Sequence, residues 1–281
     1  MTKQMAARVH VILSRDGKTG IAVRRGPTKQ VCTVGWDRQT DEFTLGQWLK
    51  GRIYERRCDL SPDGKYFIYF AMNGRWSTDV MGSWSAISRA PYLKAISLWP
   101  KGDCWNGGGL FTSETRYWLN DAYGRCNPGL SHGKPLLSPE LAEDTSFVPD
   151  RSIGNNECLG VYHPRLLRDG WKHVDTQKYG EMTIWVFDKQ LDAHWTLRKL
   201  SKATTEHPVG KGCYFDQHEL RGRDGTVVET RWDWAELDND RLVFVEKGAL
   251  KTAPLSESGL GDERILHDFN DYAFRRIKAP Y

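Results

Sequence analysis

Leu60-Ser61-Pro62-Asp63-Gly64-Lys65 runs straight into Tyr66-Phe67-Ile68-Tyr69-Phe70. Asp and Gly tolerate the positive φ of a tight turn, so Asp63-Gly64 predicts a hairpin corner. The run after it is continuously apolar rather than alternating, the pattern of a strand covered on both faces. The same phrase stands earlier as Ser14-Arg15-Asp16-Gly17-Lys18, between Val9–Leu13 and Ile21–Val23, and the two Asp residues lie 47 apart. A weaker copy, Phe111–Arg116 leading into Tyr117-Trp118-Leu119, places Glu114 51 residues after Asp63. Leu237-Asp238-Asn239-Asp240-Arg241, followed by Leu242–Val245, is a fourth.

A second marker keeps pace. Trp48-Leu49-Lys50-Gly51 stands 15 residues before Asp63, and Trp99-Pro100-Lys101-Gly102 stands 15 before Glu114. A recurrence near fifty residues is the length of one four-stranded propeller blade. In the second unit the strands fall near 54–60, 66–72, 84–89 and 93–99. In the last they fall near 231–237, 241–246, 249–255 and 264–269. The expected fold is therefore all-β, a β-propeller of about five blades forming one domain over 1–281. A two-sheet β-sandwich is the alternative. The stretch 120–156 is expected as a surface insertion with a short helix at Ser138–Glu143. Leu167–Trp171 and Arg223–Thr226 are expected hairpin turns.

The Ser-Pro-Asp-Gly-Lys phrase at 61–65, with its aromatic strand, resembles the blade motif of WD40-like and TolB-like propellers. Trp-Asp occurs at Trp36-Asp37 and Trp232-Asp233, without the Gly-His partner of WD40 repeats. The resemblance implies an architecture that often binds proteins, and no particular activity.

Bulk composition narrows the classes. The chain has 281 residues, 39% hydrophobic and 27% charged, which supports a folded core. Aromatics reach 12%, with 12 Trp, a bias towards strands. Forty basic and 36 acidic residues give a formal charge of only +4, with signs interspersed. That composition predicts neither nucleic-acid nor membrane binding. Tyr54-Glu55-Arg56-Arg57 is the nearest approach to a basic tract and reads as a solvated strand edge. Met1–Arg8 holds no apolar signal core, and the six Cys form no Cys-x-x-Cys pair. A cytoplasmic protein with reduced thiols and no cofactor is the expectation.

Several residues could carry chemistry. In Gly102-Asp103-Cys104-Trp105-Asn106-Gly107-Gly108-Gly109, Cys104 beside glycine amides could be a nucleophile, or the segment a tight backbone crossing. Asp216 and His218 would share a strand face and could begin a metal site, although no complete metal motif is present. Asp59, Asp103, Asp216, Glu229 and Asp233 are the acids a glycosidase-like hydrolase could use. Trp76, Trp105, Trp232 and Trp234 could stack on a partner or a sugar, or pack inside. The leading expectation is a non-enzymatic scaffold that holds a protein partner on its end-face loops. A hydrolase with a central-channel site and a lectin-like carbohydrate binder are the alternatives.

Overall fold

The computed structural model describes residues 6–26, 29–121, 135–154, 157–206 and 211–281. The chain is all-β with several antiparallel sheets, and it divides into two compact units. The first unit is 1–165 with 272–281, and the second is 166–271.

Among the described residues the first unit holds three sheets. The first is a meander of Arg8–Leu13, Thr19–Arg25, Gln30–Asp37 and Glu42–Lys50. The second orders Arg52–Ile53, Tyr66–Met72, Ser83–Arg89 and Ala95–Pro100, with Asp59–Leu60 also paired to Tyr66–Met72. The third is Gly109–Phe111, Arg116–Leu119 and Ala142–Glu143, the last pairing in parallel.

The repeated phrase has a repeated geometry. Ser14 Oγ donates to Asp16 Oδ1 at 2.6 Å, and Ser61 Oγ donates to Asp63 Oδ1 at 2.6 Å. Lys18 N and Lys65 N close the same Asx turn at 3.0 and 3.1 Å. Thr19 N and Tyr66 N donate to the two serine hydroxyls at 3.0 and 2.9 Å. Gly17 and Gly64 take φ of 78° and 72°, a region open to Gly at no steric cost. Three of the repeat's turns touch. Asp16 N donates to Pro62 O at 3.0 Å, and the Arg15 guanidinium reaches Phe111 O at 3.4 Å. Asp63→Ala removes the acceptor that organises one such turn. It should lower unfolding stability by about 1–2 kcal/mol in urea titration. An unchanged midpoint would deny the turn any part in stability.

Tyr66–Met72 is buried on both faces, as its continuous apolar run predicts. Phe67, Tyr69 and Ala71 pack with Ile12, Ile21, Val23 and Val31 of the first sheet. Tyr66 and Ile68 pack with Phe111, Tyr117 and Leu119 of the third. Period-two alternation thus splits one strand between two interfaces. Each fully buried aromatic contributes roughly 1.5–3 kcal/mol. Trp48 and Trp99 both stand near the ends of the last strands of their sheets, so the second sequence marker is structurally equivalent too.

The second unit holds the fourth sheet, Lys172–Tyr179, Met182–Gln190, Trp195–Ala203, Tyr214–Gly222 and Val227–Glu229. It also holds the fifth, Trp234–Asp238, Arg241–Glu246, Ala249–Ala253 and Arg264–Asp268. A small hairpin, Leu255–Ser256 with Gly259–Leu260, lies between the last two strands in sequence. The turn at Arg223–Thr226 is a hairpin turn as expected, joining Tyr214–Gly222 to the edge strand Val227–Glu229, with Gly225 at φ 92°.

Five local expectations need correction. Ser138–Glu143 is a turn followed by the short strand Ala142–Glu143, because the third sheet recruits that segment to cover its edge. Leu167–Trp171 is the end of the helix Leu159–Arg168, not a hairpin. Gly170 N donates to Leu167 O at 3.2 Å and Trp171 N to Leu166 O at 3.0 Å, a Schellman cap with Gly170 at φ 88°. The strand foreseen at 54–60 is broken by a 3-10 turn, Glu55–Arg57. That turn is buried rather than a solvated edge. The segment 120–156 is not wholly an insertion, and its 122–134 and 155–156 lie outside the described residues. No helix among the described residues is long and apolar enough to cross a membrane.

Candidate binding face on the second sheet

Two loops leave the same end of the second sheet. One, 73–82, joins Tyr66–Met72 to Ser83–Arg89, and the other, 101–108, follows Ala95–Pro100. Antiparallel pairing of Met72 with Ser83 and of Trp84 with Pro100 puts both at one edge. They are tied together. Lys101 N donates to Ser83 O at 2.9 Å, Ser83 Oγ to Asp103 O at 2.5 Å, and Gly108 N to Ser85 Oγ at 2.9 Å. Buried Lys101 carries its ammonium to Asp121 at 2.7 Å and Asp103 at 3.8 Å.

Each loop presents a tryptophan. Trp76 is 54% exposed and Trp105 is 59% exposed. Neither backbone is slack. Asn73 N and Gly74 N both donate to Gly82 O at 2.9 and 3.1 Å, and Trp76 lies close over Gly82. Trp105 N donates to Asp103 Oδ1 at 2.9 Å. Large rings held on an ordered backbone lose little entropy when a partner covers them.

Arg57 holds the second loop from beneath. Its buried guanidinium donates to Cys104 O at 2.8 Å and to Asn106 O, and pairs with Glu157 at 2.7 Å. Its Nε lies 3.3 Å from Cys158 Sγ, and Tyr54 and Phe70 pack against it at 4.8 Å each. Burial pushes the Cys158 thiol up, with Arg57 opposing, and burial likewise raises Tyr54. Neither group is primed as a nucleophile.

The glycines of 102–109 serve close approach rather than an anion nest. A Cβ on Gly108 would stand 1.8 Å from Arg57 O, and one on Gly107 would stand 2.3 Å from Phe70. Cys104 is exposed and its thiol meets no imidazole among the described residues, so no Cys-His pair forms there.

The other sequence candidates disperse. Asp59 is buried and accepts from Phe111 N at 2.8 Å. Asp103 caps its own loop. Asp216 and His218 share a face of the fourth sheet, but both are buried. His218 Nδ1 lies 3.1 Å from Trp232 O. Among the described residues no three His, Cys, Asp or Glu side chains gather to hold a metal. Glu229 is exposed on an edge strand, and Asp233 pairs with Lys211 at 2.7 Å. Trp232 and Trp234 are buried, Trp232 stacking on Phe244 at 4.3 Å, so they belong to the core and not to a binding face. Cys32, Cys58, Cys104, Cys158 and Cys213 are free thiols, and Cys126 lies outside the described residues.

The second unit carries a polar cleft of about 590 Å³ lined by Asp188, Gln190, His194, Arg198, Arg221 and Arg223. Arg198 forks onto Asp188 with two bonds of 2.7 Å, and Arg221 pairs with Glu219 at 2.9 Å. Most of its charge is therefore internally matched.

No family model matches the chain, and no curated protein does. Among solved structures, similarity is found to a chain from a mechanistic study of two prolyl endopeptidases, at 11% identity and a TM-score of 0.26. That match covers 92% of this chain and 42% of the other, so this chain spans less than half of its length. At that score the likeness carries no argument about function.

Proposed function

We propose that the chain is a propeller-type scaffold, with each four-stranded meander one of about five blades, and that it binds a protein partner through the loop end bearing Trp76 and Trp105. The fifty-residue recurrence, the shared turn geometry and a strand buried on both faces support the propeller. The observation that carries the binding reading is the pair of exposed indoles on adjoining, internally bonded loops. Trp is prominent among interface hot spots, and each contributes on the order of 2 kcal/mol or more where fully buried by a partner.

The test is cross-linked affinity capture from native extract with the wild type and the Trp76→Ala/Trp105→Ala double variant. Recovery of a stable partner should fall by at least about tenfold in the variant, with unchanged near-UV circular dichroism outside the two indoles' contribution. Equal recovery from both would dismiss this face.

A lectin-like role is the second reading, favoured by the polar cleft of the second unit. Binding on a glycan array that disappears with Arg198→Ala would establish it, and a blank array would end it. The hydrolase reading would require two acids at a catalytic separation.

A further inference from the structure

The fourth sheet ends on Lys172–Tyr179 at one side and on Val227–Glu229 at the other, and among the described residues neither pairs onward. Both strands are exposed along most of their length. An open edge is a template for another strand, and chains guard it with charge, bulges and irregular backbone. Lys172–Tyr179 carries those guards. Its register shifts between His173 and Asp175, Asp175 Oδ1 takes Thr176 N at 2.8 Å, and Lys172 and Lys178 stand on the strand. Val227–Glu229 holds no Lys, no Pro and no bulge. Its two valines are 48% and 40% exposed.

The ladder fixes which backbone groups of that edge point outward. Gly222 N donates to Thr226 O at 2.8 Å, and Thr230 N donates to His218 O at 3.3 Å. Between those bonds Arg221, Leu220 and Glu219 lie opposite Val227, Val228 and Glu229. Hydrogen-bonded pairs alternate along an antiparallel ladder, so Val228 turns its amide and carbonyl towards Leu220. Val227 and Glu229 therefore turn theirs to the outer side, about 7 Å apart. There the described residues offer them no partner.

We infer that Val227–Glu229 is the surface through which two copies of this chain associate, pairing antiparallel, edge to edge, about a two-fold axis at Val228. In that register Val227 of each copy exchanges both backbone bonds with Glu229 of the other. Val228 meets Val228 of the second copy in the close, non-hydrogen-bonded pair, so each covers an exposed apolar side chain. Other registers are worse. A slip of one residue sets outward backbone groups against inward ones. A slip of two sets Glu229 against Glu229, a like-charge pair, or carries Glu229 onto Gly225 in the turn. The strand is short, whereas stable interfaces bury about 800 Å² on each partner. The contact is therefore weak and reversible, with half-association on the order of 100 µM. The inference is independent of the partner assigned to Trp76 and Trp105, which belong to the first unit.

The test is sedimentation equilibrium of the full chain from about 10 µM to about 1 mM, a range that brackets the expected midpoint. The average mass should rise from one chain towards two. Val228→Lys sets two ammonium groups against each other at an exposed position and should weaken association roughly tenfold. Val227→Pro deletes an outward donor while leaving the Val228 bonds to Leu220, and should act in the same direction. Val174→Lys, on the guarded edge, should change nothing. Amide exchange read residue by residue adds a second measure. The Val227 and Glu229 amides should slow as concentration rises, while that of Val228 stays constant. A chain that remains monomeric to about 1 mM would overturn the inference. So would association that survives both Val227→Pro and Val228→Lys, or that Val174→Lys abolishes.

Discussion

Glu55→Gln should cost about 3 kcal/mol of stability at pH 7, and the cost should vanish in acid. Burial alone would raise this carboxyl. Arg25, Arg56, His10 and Arg52 outweigh burial and hold it at about 2, against an ordinary 4.5. A carboxyl whose folded value is depressed stabilises the fold fully above its unfolded value, and that contribution fades as pH falls from 4.5 towards 2. Wild type and variant should therefore differ most above pH 5 and converge near pH 2. Glutamine keeps the shape but removes the carboxylate charge that pairs with Arg25 and Arg56. Urea midpoints measured at pH 7, 4 and 2.5 provide the check. A gap of the same size at all three would mean that Glu55 acts by packing and not by charge.

Arg57→Ala should be comparably severe, at about 3–5 kcal/mol, because it strips a buried cation from partners that stay behind. Cys104 O, Asn106 O and Glu157 would all lose their donor, and the faces of Tyr54 and Phe70 would border a void. Arg57→Lys separates geometry from charge. An ammonium is a compact point charge and cannot span two carbonyls and a carboxylate as a planar fork does. Lysine should recover less than half of the loss in urea titration. It should also raise amide exchange in 101–108 selectively, because that loop loses its anchor. Full recovery by lysine would show that only charge is needed there.

Much of the architecture was legible in the residues because its signals are local. Tyr66–Met72 and Arg241–Glu246 occur with the boundaries their apolar runs predict. The Asp-Gly phrases are turns because Asp and Gly supply both the side-chain acceptor and the left-handed backbone within five residues. The helix Leu159–Arg168 was hidden for an equally physical reason. Pro164 lies inside it, and its Leu-Arg-Asp-Gly-Trp ending is chemically the same as a hairpin corner. Only tertiary packing distinguishes the two.

The candidate sites were less legible. Trp76 and Trp105 stood out by composition, but nothing local separated them from Trp232 and Trp234, whose exposure is decided by neighbouring sheets. Glu55-Arg56-Arg57 read as solvated because adjacent charges usually are. Their burial depends on Glu157, Cys158, Tyr162 and Arg165, about a hundred residues onward, and no short window of sequence contains both halves.

The contact between the turns at Ser14–Lys18, Ser61–Lys65 and Phe111–Arg116 has a consequence for how the chain tolerates change. Those corners are packed head to head, so lengthening one by a residue would displace the other two. At the other end of Tyr66–Met72, residues 74–79 of the 73–82 loop are exposed at its tip. Foreign peptides grafted there should be displayed without loss of folding, and grafts at the corners should not. Diversity among variants of this chain would then accumulate at that end of the second sheet only.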